Sequence, residues 1–311
     1  MLAIKTLPHK SIIFRRVVRL MGIQFEISVV GDNPDWAEER INDAVAEISR
    51  VEKLLSAFND GSAVNEINRN AGVMPVKTNA EVFRLIDRSL QISELTHGAF
   101  DITYYAMDKD APEIGPTTTA TRLKGTVSYQ NVLLDAKAQT VFLKEKGMRL
   151  GFGANGKGYA ADRAKYILQM HGVSSGVINA DGDLLTWGAQ PDNEPWTIAT
   201  ADPDQKMQPF ANVNISNMAI ATSVNTDKHT TILNKRLNQI DAKNGFPVSE
   251  IKSVSILSPS AELADAMATP VILIGVNAGL YLINQLNQVA CIIIDDHDRI
   301  YTSNDVSIAN R

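Results

Sequence analysis

The sequence predicts an α+β fold, with mixed and antiparallel sheets against which helices pack. Three observations carry this. Helical periodicity and strand-like patterning come in separate blocks rather than in alternation. From Gly176 to about Leu257 the pattern is mostly short strands and turns. A chain of 311 residues with 44% hydrophobic content can also bury a full core. The expectation is one domain over 1–311, with a finer division into lobes 15–107 and 127–305 joined by a loop at 108–126.

Arg16 to Val30 alternates as a strand does, with Val18, Leu20, Ile27 and Val29 among its apolar positions. Asn33-Pro34 reads as a cap with proline in the first turn, opening a helix to about residue 56. Its apolar stripe is Ile41, Val45, Ile48, Val51 and Leu55. A second helix over 80–97 carries Val82, Leu85, Ile86, Leu90 and Leu95 and stops at Gly98. The stretch 108–126 is rich in Pro, Thr, Gly and charge, hence an exposed loop. A hairpin over 129–143 follows, then a helix over 157–171 with Tyr159, Ala164, Ile167 and Leu168, ending at Gly172. Beyond it, Val177-Ile178, Trp196-Thr197-Ile198, Ala219-Ile220, Thr231-Ile232-Leu233 and Val254-Ser255-Ile256 read as strands. Helices return over 261–269 and 278–285, and 290–295 is a last buried strand.

Net charge is −5, and the densest basic run is Phe14-Arg15-Arg16-Val17-Val18-Arg19, where the charges interrupt a strand pattern. Nothing in this predicts nucleic-acid binding. The single cysteine, Cys291, lies in Val289-Ala290-Cys291-Ile292-Ile293-Ile294 and reads as a small core hydrophobe. No apolar run reaches the roughly 18 residues of a membrane-spanning helix. Met1 to Lys5, followed by Pro8 and His9, lacks the apolar centre of a signal peptide.

The stretch Leu150 to Asp162, LGFGANGKGYAAD, fits two phosphate-loop patterns at once. A dinucleotide fold needs a buried strand running into the glycines, and Gly147-Met148-Arg149-Leu150 is too short and polar. A triphosphatase loop needs a hydroxyl after Lys157, where Gly158 stands. Two readings stay open: a helix N-terminus with a lysine, suited to a phosphate, or a glycine turn that only packs helix on sheet. Asp162 reads as structural.

Gly172-Val173-Ser174-Ser175-Gly176 matches a nucleophile elbow, but helix precedes strand here, so Gly172 reads as a helix cap. Asn179, Asp181 and Asp183 imitate a calcium loop whose glycine and closing glutamate are replaced by Leu184 and Gln190. The histidines, His9, His97, His171, His229 and His297, are scattered, which argues against a zinc site. Asp265 and Thr269 stand four apart on one helix face, where a carboxylate and a hydroxyl could share one hard cation; a surface aspartate and a threonine before Pro270 would look the same.

Several stretches, in order, resemble the ApbE-type FAD:protein FMN transferases. They are Met21-Gly22; Leu55-Ser56-Ala57-Phe58 with Ser62 and the region Asn65 to Asn68; and Gly98-Ala99-Phe100-Asp101. Then come Gly156 to Asp162, Gly176 to Leu184, Ala221-Thr222-Ser223, Ile240-Asp241 with Gly245 and Pro247, and Ala264-Asp265 with Thr269. The resemblance spans roughly residues 20 to 305. It implies a T-fold-like architecture and a Mg²⁺-dependent enzyme with FAD as substrate. Such an enzyme cleaves FAD, releases AMP and attaches FMN by a phosphodiester to a threonine or serine of an acceptor flavoprotein. It implies flavin contacts for Met21, Phe58, Ala99, Phe100, Asp101, Lys157 and Ile240, and metal ligation by Asp265, Thr269 and the Ala154 carbonyl. Asp265 and Lys157 would carry the catalysis: one holds the metal, the other puts positive charge beside a phosphoryl group.

The chain departs from the family pattern at Ile23 (usually Thr), Phe58 (often Tyr), Gly151 (usually Asp), Asp181 (usually Gly) and Asn238 (often His). Asn238 has no accessible basic form, so it could not activate an acceptor hydroxyl. Two alternatives therefore accompany the transferase: a Mg²⁺-dependent FAD pyrophosphatase giving FMN and AMP, and a non-catalytic FAD-binding protein. The resemblance implies a periplasmic or cell-envelope location if an export signal has been removed. A cytoplasmic location is the alternative, since no signal is visible.

Overall fold

The chain's first described element is a hairpin. The computed structural model describes residues 11–57, 59–105, 128–201, 209–224 and 250–304. β1 (Ile12–Leu20) pairs antiparallel with β2 (Ile23–Gly31), and the register Leu20↔Ile23 leaves Met21-Gly22 as a two-residue turn. Both turn residues have positive φ, 53° and 77°, which gives the twist that two-residue hairpins need. The single strand read over 16–30 is thus two strands. Its apolar positions were even-numbered at Val18 and Leu20 and odd at Ile27 and Val29; a two-residue turn makes that change of parity.

α1 (Pro34–Leu55) starts where Asn33 accepts the Trp36 N–H, and buries Ile41, Ile48, Val51 and Leu55. α2 (Ala63–Arg69), unforeseen from periodicity, is capped by Ser62. After β3 (Val76–Lys77), α3 (Ala80–Leu95) ends where His97 and Gly98 turn left-handed, at φ 51° and 81°. β4 (Thr103–Tyr105) precedes the expected hairpin, β5 (Val132–Asp135) and β6 (Thr140–Leu143), and β7 (Met148–Leu150) pairs antiparallel with β4. α4 (Gly156–Met170) closes at Gly172, φ 86°, with Val173 N–H on Leu168 O at 2.9 Å. Gly172 is therefore the cap that the sequence indicated.

β8 (Gly176–Ala180) and β9 (Asp183–Trp187) form a second two-residue hairpin over Asp181-Gly182, φ 56° and 102°. β10 (Thr197–Ala201) and β11 (Pro209–Asn214) pair with each other. β12 (Ala219–Val224) and β13 (Ile251–Ser258) lead into α5 (Ala261–Ile274). α6 (Val276–Ile283), β14 (Ala290–Asp295) and β15 (Ile300–Thr302) complete the described chain. α5 outruns the expected 261–269 because it continues through Pro270. A proline inside a helix costs about 3 kcal/mol. Complete burial of Ala264, Met267 and Val271 on the sheet offsets it. The strand read at Thr231-Ile232-Leu233 and the loop at 108–126 lie outside the described residues.

Eight strands form one antiparallel sheet in the order β1-β2-β8-β9-β12-β13-β14-β15. α1 lies on β1 and β2, α5 on β12 and β13, and α4 between the two helices, over β8 and β9. The main core fills that interface, with Phe25, Ile27, Ile178 and Val254 inaccessible to solvent. A smaller cluster of Ile215, Ile220, Leu257, Ala290 and Ile292 covers the opposite face. Cys291 is fully buried in β14, where desolvation pushes its thiol up to about 11, the inert core role read from the sequence. Among the described residues no helix is long and apolar enough to cross a membrane.

Candidate active site

Two hairpin turns and one helix N-terminus meet at one end of the sheet. Pairing of Phe25 with Ala180 brings the Met21-Gly22 and Asp181-Gly182 turns to the same edge, where Asp181 N–H donates to Gln24 O at 2.9 Å. Glu52 of α1 accepts the Met21 N–H at 2.7 Å and so fixes that turn. The Met21 side chain reaches the start of α4: a Cβ placed on Gly156 would be 3.7 Å from its terminal methyl. Met21 and the glycine turn, far apart in sequence, are thus neighbours.

Lys157, in the first turn of α4, points its ammonium between two carboxylates. It hydrogen-bonds Asp183 Oδ2 and stands 3.2 Å from Asp265 Oδ1. Burial pulls its pKa down, but the charges and hydrogen bonds of Asp265 and Asp183 outweigh this and hold it above the usual lysine value. Burial pushes Asp265 up to about 6; Lys157 opposes that shift and the Asp183 charge reinforces it. One turn further along α5, the Thr269 hydroxyl lies 3.2 Å from the Ser223 hydroxyl of β12. Ala154 occupies the exposed turn just before α4.

Gly158 explains how Lys157 reaches Asp265. A Cβ there would be 2.3 Å from the Ala261 carbonyl oxygen, so only glycine lets α4 and α5 approach this closely. The residue that breaks the triphosphatase motif is a packing requirement. Asp162, one turn on, accepts Ser260 Oγ at 2.8 Å and the N–H groups of Ala261 and Glu262 at 2.9 and 3.0 Å. It caps α5 from a neighbouring helix, the structural role its position suggested.

The Gly98 to Asp101 stretch forms a braced loop. Phe100 is buried and its N–H donates to Thr96 Oγ1; the two Asp101 oxygens accept Thr103 N–H at 2.8 Å and Tyr129 N–H at 2.9 Å. Burial raises the Asp101 pKa while these hydrogen bonds oppose it. Gly151, where the resemblance leads one to expect aspartate, donates its N–H to Ile102 O at 2.9 Å, tying this loop to the glycine turn. Asn68 clamps the preceding Leu150 through both backbone groups, at 2.7 and 3.0 Å. Phe58, Ile240, Asn238 and His229 lie outside the described residues.

Asp183 joins the candidate site, although the sequence offered it only in a failed calcium-loop pattern and within the stretch Gly176 to Leu184. Its signal was a charge opening a strand directly after an Asp-Gly turn. Asn155, just before α4, is fully buried, its Nδ2 donates to Ser89 Oγ, and its Oδ1 has no partner among the described residues. Among the described residues no three His, Cys, Asp or Glu cluster as metal ligands.

A model of the ApbE family matches residues 21–293. The chain is 29% identical over 271 residues to an FAD:protein FMN transferase of Klebsiella pneumoniae, covering 82% of each chain. It is 26% identical over 278 residues to one of Treponema pallidum, covering 82% of this chain and 77% of that one. Among solved structures, the ApbE protein of Thermotoga maritima superposes with a TM-score of 0.77 at 23% identity, covering 94% of this chain and 97% of that one. The flavin transferase ApbE from Vibrio cholerae gives 0.79 at 20%, covering 94% and 98%. These likenesses show a shared fold.

Proposed function

The chain belongs to the ApbE family, and we propose that it is a Mg²⁺-dependent FAD:protein FMN transferase acting on a threonine or serine of a partner flavoprotein. The curated relatives are named for FAD:protein FMN transfer. The observation that carries the reading is Lys157 at the start of α4, paired with Asp265 one helical turn from Thr269.

The donor set suits a hard cation. Asp265 offers a carboxylate with little solvent access, Thr269 a hydroxyl on the same helix face, and Ala154 a carbonyl in the neighbouring turn, all oxygen. Bound there, Mg²⁺ would neutralise pyrophosphate charge as AMP leaves. The chain's own groups do the rest. Lys157, at the positive end of α4, binds phosphoryl oxygens. Met21 walls that N-terminus, and the Asp101 brace holds the Ala99-Phe100 loop against the flavin half. The acceptor oxygen would form a bond to the FMN phosphorus, the bond from that phosphorus to the AMP oxygen would break, and the hydroxyl proton would pass to solvent.

The test is incubation with FAD, Mg²⁺ and an acceptor domain carrying a flavinylation threonine, read by mass spectrometry. Covalent FMN on the acceptor with one AMP released per transfer is expected; an unmodified acceptor overturns the reading. Asn238, where the family often has histidine, favours one second reading, FAD hydrolysis, which gives AMP with no modified acceptor. Intact FAD after long incubation would identify a non-catalytic flavin binder.

A further inference from the structure

Asp183 opens β9 directly after the Asp181-Gly182 turn, with its side chain only 14% exposed. One oxygen accepts the Thr222 N–H at 2.9 Å; the other takes the Lys157 ammonium. β9 and β12 pair only at Leu184↔Ile220 and Leu185↔Ala219, so the Thr222 contact continues the link where the ladder stops. The carboxylate is anchored to backbone. Lys157, in contrast, is a long flexible side chain whose ammonium is shared between this fixed anion and Asp265 Oδ1 at 3.2 Å. A divalent cation that binds Asp265 competes with the lysine for it.

We propose that Asp183 is a positioning residue that acts through Lys157: it retains the ammonium at the site when a divalent cation claims the Asp265 carboxylate. This rests on the cation reading above. With Asp183 in place, the lysine gives up one of two partners and keeps its position beside the phosphoryl groups. Without it, Asp265 is the sole anion that Lys157 reaches in the pairings described, and the ammonium competes with the cation for it.

The experiment is Mn²⁺ binding to the full-length protein without flavin or acceptor, by electron paramagnetic resonance with Mg²⁺ competition. It uses the parent, Asp183→Asn, Asp183→Glu, Lys157→Met and the Asp183→Asn/Lys157→Met double variant. Asn keeps an acceptor for the Thr222 N–H, so the strands stay linked. Asp183→Asn is expected to weaken Mn²⁺ binding about tenfold, Lys157→Met to tighten it, and Asp183→Asn in the Lys157→Met chain to change it by less than about threefold, a coupling of the size that contacting residues show. Asp183→Glu is expected to restore most of the affinity. Equal losses from Asp183→Asn in both backgrounds would mean a plain electrostatic effect and overturn the proposal alone. A parent that binds no Mn²⁺ overturns both the proposal and the cation reading.

Discussion

The Gly158 N–H donates to Asp265 Oδ2 at 3.2 Å, so the backbone of α4 is fastened to the carboxylate carried by α5. That bond exists because the two helices touch where Gly158 has no side chain. Gly158→Ala is expected to force them apart, with a loss of stability of about 1–3 kcal/mol, the scale of overpacking. Urea unfolding measures it. A variant with the parent's midpoint would show that the contact has slack the geometry does not suggest.

Asp265 gives a pH dependence with a definite sign. Its folded value is about 6, against 3.8 as the ordinary value. Between those values the folded chain holds more protons than the unfolded one, so this contribution falls as pH rises and is level above about 6. Two units correspond to about 3 kcal/mol as an upper bound. Asp265→Asn is therefore expected to be more stable than the parent at pH 7.5 and no more stable below about pH 4, while losing transferase activity. Urea midpoints at the two pH values decide it; a variant less stable at pH 7.5 contradicts the buried-charge account.

Arg88 meets Glu262 with both carboxylate oxygens, at 2.8 to 3.2 Å, and joins α3 to the first turn of α5. Burial pushes the Glu262 pKa up and Arg88 pulls it back. Removing the arginine strands a carboxylate that is only 9% exposed. Arg88→Met is expected to cost about 1–3 kcal/mol, less than a fully buried pair because the arginine is partly solvated. Adding Glu262→Gln should recover most of it. Thermal unfolding of both chains is the check, and equal destabilisation of single and double variants would contradict it.

The Asp101 brace predicts a split between binding and turnover. Asp101→Asn keeps one acceptor but turns a donor toward a backbone N–H, at a cost of about 1–3 kcal/mol. With the loop loosened, the FAD concentration for half-maximal rate is expected to rise about tenfold, with the saturated rate much less affected. Steady-state AMP release at varied FAD measures both. A fall in the saturated rate alone would place Asp101 at the reacting phosphorus instead.

Helix ends were the most legible part of the local structure. Asn33-Pro34, Gly98 and Gly172 each marked a helix end correctly, because caps and left-handed turns are fixed by one or two residues. The hairpin at Met21-Gly22 was missed because methionine is an unusual turn residue, although the shift in apolar parity recorded it. α2 escaped because seven residues are too few for a helical period to stand out. The site was half legible. Asp265 with Thr269 is a spacing on one helix, whereas Asp183 and Lys157 meet only through the order of strands in the sheet, which no local pattern encodes.

That strand order also sets when the site can come into being during synthesis. β2 leaves the ribosome long before its neighbour β8, and Asp265 later still. A nascent chain halted before α5 holds both hairpins and Lys157 but has no partner for the Gly158 amide. Pairings so distant in sequence form slowly, because loop closure must precede their reward. The pairing of Lys157 with Asp265 is therefore a property of the finished polypeptide, and the α4–α5 contact is the step that completes it.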